Sequence, residues 1–288
     1  LQSVDLDKYY AGRDVKLLAA EFYRGIGLPI DSILARSDLY EREGKNPHAF
    51  CTDIDRRGDV RILCNLADTE RWMETILHEG GHGVYSYYND PAMPYLLRQE
   101  AHAFTTEAIA NFFGRLSRNP WWMEKMLGLT PEQRQELVQV SSQYARLKQL
   151  VFSRWAMVMY YFEKELYADP EQDLNALWWN LVEKYQGIKK PAGRDEADWA
   201  AKIHFTIAPC YYHNYPLGEL LASQLHASLT KSVLAEGEQV SYVGATEAGA
   251  WLREKVFSAG ASWSWNEMIK RATGEPLTAR YFVEQFIN

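Results

Sequence analysis

Two histidines four residues apart, with a glutamate directly after the first, carry the strongest chemical signal in the sequence: His78-Glu79-Gly80-Gly81-His82. On an α-helix, positions i and i+4 share a face, offset by about 40°. Both imidazoles can therefore reach one metal ion. Glu79 points about 100° away from His78, so it cannot serve that ion as a third ligand from the same helix, but it can reach a water held there. Two nitrogen ligands and a general base on one helical turn are the arrangement by which zinc activates water for hydrolysis. A tetrahedral zinc needs one more protein ligand besides the water. The downstream candidates are Glu100 and Glu107. Glu107 begins a turn whose neighbours Ala108, Ile109 and Phe112 are apolar, which faces it inward, where a buried carboxylate requires a cation. Glu100, in Arg98-Gln99-Glu100, reads as a solvated charge. The competing role for Glu107 is a salt bridge to an arginine such as Arg115.

The elements that must position these groups are mostly helical. Thr69 reads as an N-cap, and Trp72, Met73, Ile76 and Leu77 recur at helical spacing into the motif, with Val84 and Tyr85 continuing the stripe. Gly80, Gly81 and Gly83 each cost a helix roughly 1 kcal/mol against Ala, so three in one turn imply that something approaches that turn closely. Upstream, residues 5–27 read as a helix ending at Gly25, Gly27 and Pro29. A charged, irregular stretch runs from Arg36 to Asn46. His48–Ile54 and Asp59–Cys64 alternate like strands about the turn Asp55–Gly58 and form the one expected hairpin. It sits next to the metal helix, where an edge strand can bind an extended peptide. Downstream, helices are expected over Leu97–Leu116, from Thr130-Pro131-Glu132 to Tyr167, and over Glu171–Tyr185. Gly187–Asp198 is a loop and Ala200–Tyr215 is aromatic and irregular. Helices follow at Leu217–Leu234, Glu247–Phe257 and Trp265–Thr273, then an amphipathic C-terminus. The expected class is mainly α, and no repeat, low-complexity tract or linker divides the chain.

Composition narrows the function classes. The chain has 288 residues, a net charge of −7 and no basic run, which argues against nucleic acid as partner. An aromatic content of 14% suits a deep cleft as well as a core. Cys51, Cys64 and Cys210 are an odd number at irregular spacing, so neither a disulfide framework nor a thiolate metal site is indicated, and small buried apolar roles are expected. The longest apolar run, Trp155 to Phe162, is far short of a membrane span. A soluble protein is expected. No leader is visible and the chain begins at Leu1 rather than Met, which leaves cytoplasmic, periplasmic and secreted locations open, as it leaves the oligomeric state.

Several blocks in order resemble the M2 metallopeptidase family, which includes angiotensin-converting enzyme. They are the motif at His78–His82, Glu107-Ala108-Ile109, Trp178-Trp179 leading to Lys184-Tyr185-Gln186-Gly187-Ile188, Lys202-Ile203-His204, and the tyrosines Tyr212 and Tyr215. The resemblance covers most of the chain and corresponds to the later part of the family's catalytic domain. It implies a gluzincin-type helical peptidase domain over 1–288, with the family's lid helices before Leu1. It implies one zinc ion on His78, His82 and Glu107, with Glu79 activating the water. His204 and Tyr215 would stabilise the oxyanion. Lys202 and Tyr212 would hold the C-terminal carboxylate of a peptide, and His48 and Ala49 would contact the substrate from the strand. The spacing from His204 to the tyrosine pair is one residue longer than in the family, so Tyr211 can take the place of Tyr212. Asn111 stands where the family often has an aspartate orienting a zinc histidine. Val182 and Asn214 stand where animal members bind chloride through arginine, so activity without chloride is expected. Pro47 stands where a cysteine partner of Cys64 would be. His102, His213 and His226 are expected to be structural.

The implied function is release of dipeptides from the C-terminus of short peptides. His48-Ala49-Phe50 with Asp59-Val60-Arg61 also resembles the M32 carboxypeptidases, which release one residue. An M3-like oligopeptidase and a non-catalytic half of a split enzyme are the further alternatives. The intact Glu79 argues against the last.

Overall fold

A computed structural model describes residues 4–233 and 240–287. Among these residues, helices dominate and one two-stranded antiparallel sheet is present. The order is α1 (Asp7–Tyr10), α2 (Val15–Gly25), α3 (Asp31–Leu34), β1 (Phe50–Asp53), β2 (Val60–Leu63), α4 (Glu70–Tyr87), α5 (Ala103–Gly114), α6 (Pro120–Leu127), α7 (Pro131–Ala168), α8 (Leu174–Gln186), α9 (Asn214–Val233), α10 (Thr246–Leu252), α11 (Trp265–Thr273) and α12 (Arg280–Phe286).

The helix α4 is the centre of the packing. The Thr69 hydroxyl accepts the Trp72 N–H at 3.3 Å and starts it. Met73, Ile76, Leu77, Val84 and Tyr85 are buried along one stripe, as the periodicity predicts. Its three glycines meet three different neighbours. A Cβ on Gly80 would lie 2.6 Å from the Tyr23 ring of α2, and one on Gly81 would lie 2.8 Å from the Ala110 Cα of α5. One on Gly83 would lie 3.3 Å from Ile33 of α3. The Tyr23 hydroxyl uses that proximity to donate to the Leu77 carbonyl at 2.5 Å. In turn α9 reaches α5 through Gly218, where a Cβ would lie 2.9 Å from the Cβ of Glu107.

The hairpin pairs Phe50 with Leu63 through to Asp53 with Val60. Both strands are shorter than the alternation suggests, and His48 and Ala49 precede β1 as irregular chain. The turn is held by two carboxylates: Asp53 accepts the Arg56 N–H at 2.8 Å, and Asp55 accepts those of Arg57 and Asp59. Beyond β2, Asp38 bridges to Leu63, which leaves β1 as the outer strand.

The helices depart from the sequence expectation most clearly at four places. The helix over 5–27 is two helices, because Gly12 adopts φ +73° and Asp14 caps a new start by accepting from Leu17. The helix expected from Leu97 begins only at Ala103, where His102 and Thr105 close a capping box. The helix α6 is additional: Asn119-Pro120 ends one helical segment but also starts the next, with Asn119 as N-cap and Pro120 at N1. Finally α9 begins at Asn214, which puts Tyr215 on its first turn; the expected end at Leu234 lies outside the described residues.

Two apolar clusters form. The larger joins α2, α4, α5, α6, the hairpin and much of α9 to α11. The second is built on the distal half of α7 and α8, with Trp178, Phe162, Phe205 and Tyr212. The Tyr185-Gln186-Gly187 segment ties α8 to α7. Arg154 donates to the Lys184 and Tyr185 carbonyls, Gln186 donates to the Val151 carbonyl, and Gly187 at φ +68° ends the helix.

Candidate metal centre and its cleft

Between the hairpin, α4, α5 and the 203–215 segment lies a cleft of about 700 Å³. His78, Glu79, His82 and Glu107 line it, with His48, Ala49, His204, Tyr211 and Tyr215. The close approach of α4 and α5 at Gly81 brings the chemistry together. Glu107 Oε2 stands 3.6 Å from His78 Nε2 and 3.9 Å from His82 Nε2. One donor atom from each of the three residues lies within 4.8 Å of the others. With zinc–ligand bonds of 2.0–2.1 Å, tetrahedral donors stand about 3.3 Å apart, so the three groups are close to that spacing.

The electrostatics suit a cation. Burial pushes the His78 imidazole down to about 4, opposed by the Glu74 and Glu219 carboxylates, and drives His82 well below its usual value. Both rings are therefore neutral at pH 7 and offer lone pairs. Burial raises Glu107 to about 7 against the hydrogen bond from Tyr211. Burial, followed by the charge of Glu107, raises Glu79 to about 8. Two carboxyls raised in this way await a positive charge. The clearest sign is Glu107 Oε2, which is buried without any hydrogen-bond partner, while Oε1 accepts from the Tyr211 hydroxyl at 2.6 Å. The alternative salt bridge from Arg115 to Glu107 is not made; Arg115 pairs with Glu219 instead. These residues fit a divalent metal of the zinc type.

Groups outside the motif orient the site. Thr106 Oγ1 lies 2.7 Å from His82 Nδ1, leaving Nε2 directed at Glu107. Nothing in the sequence singles out Thr106, which lies 24 residues from its partner. Asn111 acts on His78 as a hydrogen-bonding side chain that opposes the effect of burial. Behind α4, Glu74 pairs with Arg118 and Lys148, and Arg118 also pairs with Glu70.

The remaining expected site residues divide. His204 Nε2 and the Tyr215 hydroxyl are 3.3 Å apart and face the cleft. Tyr211 turns to Glu107, whereas Tyr212 turns the other way, into the second cluster, where its hydroxyl accepts from Trp155 Nε1 at 2.7 Å. Lys202 lies beside the same Trp155, with Nζ 5.4 Å from its ring centre. Lys202 and Tyr212 thus stand together around Trp155, behind the residues that line the cleft. Glu100, read as a solvated charge, is half-buried and lines the cleft because helix α5 begins after it. Of the cysteines, Cys64 is buried and Cys51 half-buried, but Cys210 is exposed, contrary to expectation, in a left-handed turn at φ +56°. His102 caps α5, and His226 bonds to the Tyr242 hydroxyl.

Comparison with known proteins adds the following. The family model described as peptidase M2, angiotensin-converting enzyme, matches residues 8–286. Angiotensin-converting enzyme of Rattus norvegicus is 28% identical over 284 residues, covering 93% of this chain and 21% of that protein. The Haematobia irritans exigua enzyme of the same name is 27% identical over 306 residues, covering 97% of this chain and 46% of that protein. Thermostable carboxypeptidase 1 of Pyrococcus furiosus is 25% identical over 263 residues, covering 82% of this chain and 51% of that protein. The chain therefore spans about a fifth of the length of the mammalian relatives and about half of the shorter ones.

Proposed function

The chain belongs to the M2 peptidase family, that of angiotensin-converting enzyme, and from that membership and the geometry of the cleft we propose that it is a zinc peptidase releasing dipeptides from the C-terminus of short peptides. Its mainly α-helical architecture with one hairpin beside α4 is the gluzincin fold that the family implies. The observation that carries the reading is the buried, unpartnered Oε2 of Glu107 aimed between two neutral imidazoles.

His78, His82 and Glu107 would hold the ion. Zinc there supplies the positive charge that polarises a peptide carbonyl and acidifies a water. Glu79, next along α4, takes the proton from the attacking water and passes it to the nitrogen of the leaving amine. His204 and the Tyr215 hydroxyl donate to the carbonyl oxygen as it gains charge; burial keeps Tyr215 protonated, which suits a donor. Tyr211 holds Glu107 in place. His48 and Ala49 line the cleft just ahead of the outer strand β1, along which an extended peptide would lie. Lys202, beyond His204, would attract the peptide's free carboxylate toward that end of the cleft, with Tyr212 packed beside it on Trp155. Val182 is buried in the second cluster and Asn214 at the start of α9, so neither offers a cation, and activity needs no chloride. Among the described residues no helix is long and apolar enough to cross a membrane.

One-residue release is the second reading, favoured by the similarity to the Pyrococcus carboxypeptidase. An N-blocked tripeptide separates the two. Dipeptide product supports the proposal, a single free amino acid supports the carboxypeptidase reading, and full-rate cleavage of a C-terminally amidated peptide counts against both.

A further inference from the structure

Successive residues beside the cleft are held by two different helices. The Cys210 N–H donates to Glu163 Oε1 of α7 at 2.6 Å, and the Tyr212 hydroxyl accepts from Trp155 Nε1 of the same helix. Tyr211, between them, turns the opposite way, and its hydroxyl donates to Glu107 Oε1 of α5 at 2.6 Å. Trp155 and Glu163 lie about 12 Å apart along α7, so that helix pins the turn at two points and leaves Tyr211 one direction. Cys210 holds φ +56°, left-handed backbone that a residue with a Cβ adopts only where its surroundings enforce it.

The Glu163 side of this arrangement is not explained by stability. Glu163 is 7% exposed and makes no ion pair among the described residues. Besides the Cys210 N–H, the one other donor it receives there is the Tyr167 hydroxyl, at 3.2 Å. A charge buried with so few partners is expensive to the fold. The turn that it holds buries little: Cys210 is exposed, and Ile207 just before it is 77% exposed. What the contact does fix is a direction. Tyr211 holds Oε1 of Glu107, and that leaves Oε2 to face the two imidazoles. Glu163 stands 47 residues from Cys210, and no motif marks it.

We propose that Glu163 is a positioning residue for the metal centre: by holding the Cys210 amide it fixes the turn from which the Tyr211 hydroxyl reaches Glu107. The proposal rests on the reading of Glu107 as the third metal ligand. The outer partners of a ligand set its orientation and its affinity for the ion, and here that control passes from α7 through one backbone N–H and one phenol to α5.

The test is a zinc competition with a chelating dye on the parent chain, E163L, E163Q, Y211F and E163L/Y211F. Leucine fills the volume of Glu163 without an acceptor, whereas the glutamine amide oxygen can still accept the Cys210 N–H. E163L should weaken zinc binding about tenfold, and E163Q should stay close to the parent. Y211F should weaken it to a similar degree, and the double variant should be no weaker than Y211F alone, since both changes remove one contact. Unchanged affinity in E163L, equal losses in E163L and E163Q, or losses that multiply in the double variant would each overturn the proposal. If E163L folds poorly, E163D replaces it: its acceptor is drawn back by one methylene, so weaker zinc binding than in E163Q supports the proposal and equal binding overturns it. A second measurement needs no metal. In metal-free protein carrying fluorotyrosine, the Tyr211 fluorine resonance is assigned by its loss in Y211F; it should move in E163L and stay in place in E163Q. If the parent binds no zinc, the reading of Glu107 as a ligand fails, but that shift still supports the hold of Glu163 on Tyr211, and an unmoved resonance overturns it.

Discussion

Glu107 decides whether the two histidines of the motif form a site. It is 3% exposed, with one oxygen held by Tyr211 and the other unpartnered. A buried carboxylate in that state costs several kcal/mol unless a cation joins it. Its inward direction was legible from Ala108, Ile109 and Phe112. Its orientation was not, because that depends on Tyr211, 104 residues away. Sequence spacing also left Tyr211 and Tyr212 interchangeable. The helix start at Asn214 separates them, sending one hydroxyl to Glu107 and the other to Trp155. Two outcomes are expected at this scale. Glu79→Gln should keep its zinc, measured by metal analysis, while peptide cleavage falls by about 100- to 10,000-fold; loss of zinc together with activity would assign Glu79 to the ligand set instead. Thr106→Val removes the hydroxyl beside His82 Nδ1 and should weaken zinc binding about 10- to 100-fold in a competition with a chelating dye. Unchanged affinity would mean that His82 is oriented by packing alone.

At the scale of elements, the glycines of α4 are the link between sequence and site. Their clustering indicated a close approach, and the structure supplies the partners: the Tyr23 ring at Gly80 and the α5 backbone at Gly81. A ring can shift, but the backbone at Ala110 cannot yield without moving the helix that carries Glu107. Gly81→Ala should therefore destabilise the chain by about 1–3 kcal/mol in urea unfolding and also weaken zinc binding in the fraction that folds. Loss of stability with zinc affinity intact would show that α5 moves as a rigid body without disturbing the donors. The elements that were missed share a physical cause. The helix α6 and the late start of α5 are set by caps, at Asn119-Pro120 and His102. The former dipeptide works both as stop and as start, and histidine is an uncommon cap.

At the scale of the molecule, the charge network behind α4 couples site and stability. Burial alone would raise the Glu74 carboxyl, but Arg118 and Lys148 hold it down at about 2, against 4.5 for a free glutamate. Such a group stabilises the folded state fully above pH 4.5, and the contribution is lost as pH falls toward 2, on the order of 3 kcal/mol in all. Burial also keeps His226 neutral by pushing it down to about 4 from 6.5; its contribution is present above pH 6.5 and is lost on acidification toward 4. Urea stability should thus fall between pH 4.5 and 2, and Glu74→Gln should flatten that fall. An unchanged profile in that variant would remove Glu74 from the account.

The central claim is that His78, His82 and Glu107 together hold one metal ion beside Glu79. Zinc titration of the chain, with Glu107→Gln in parallel, tests it without requiring turnover. One zinc per chain is expected in the parent protein, with binding weakened by about 100-fold or more when the buried carboxylate becomes an amide. Equal zinc affinity in both proteins, or no stoichiometric zinc in the parent, would contradict it.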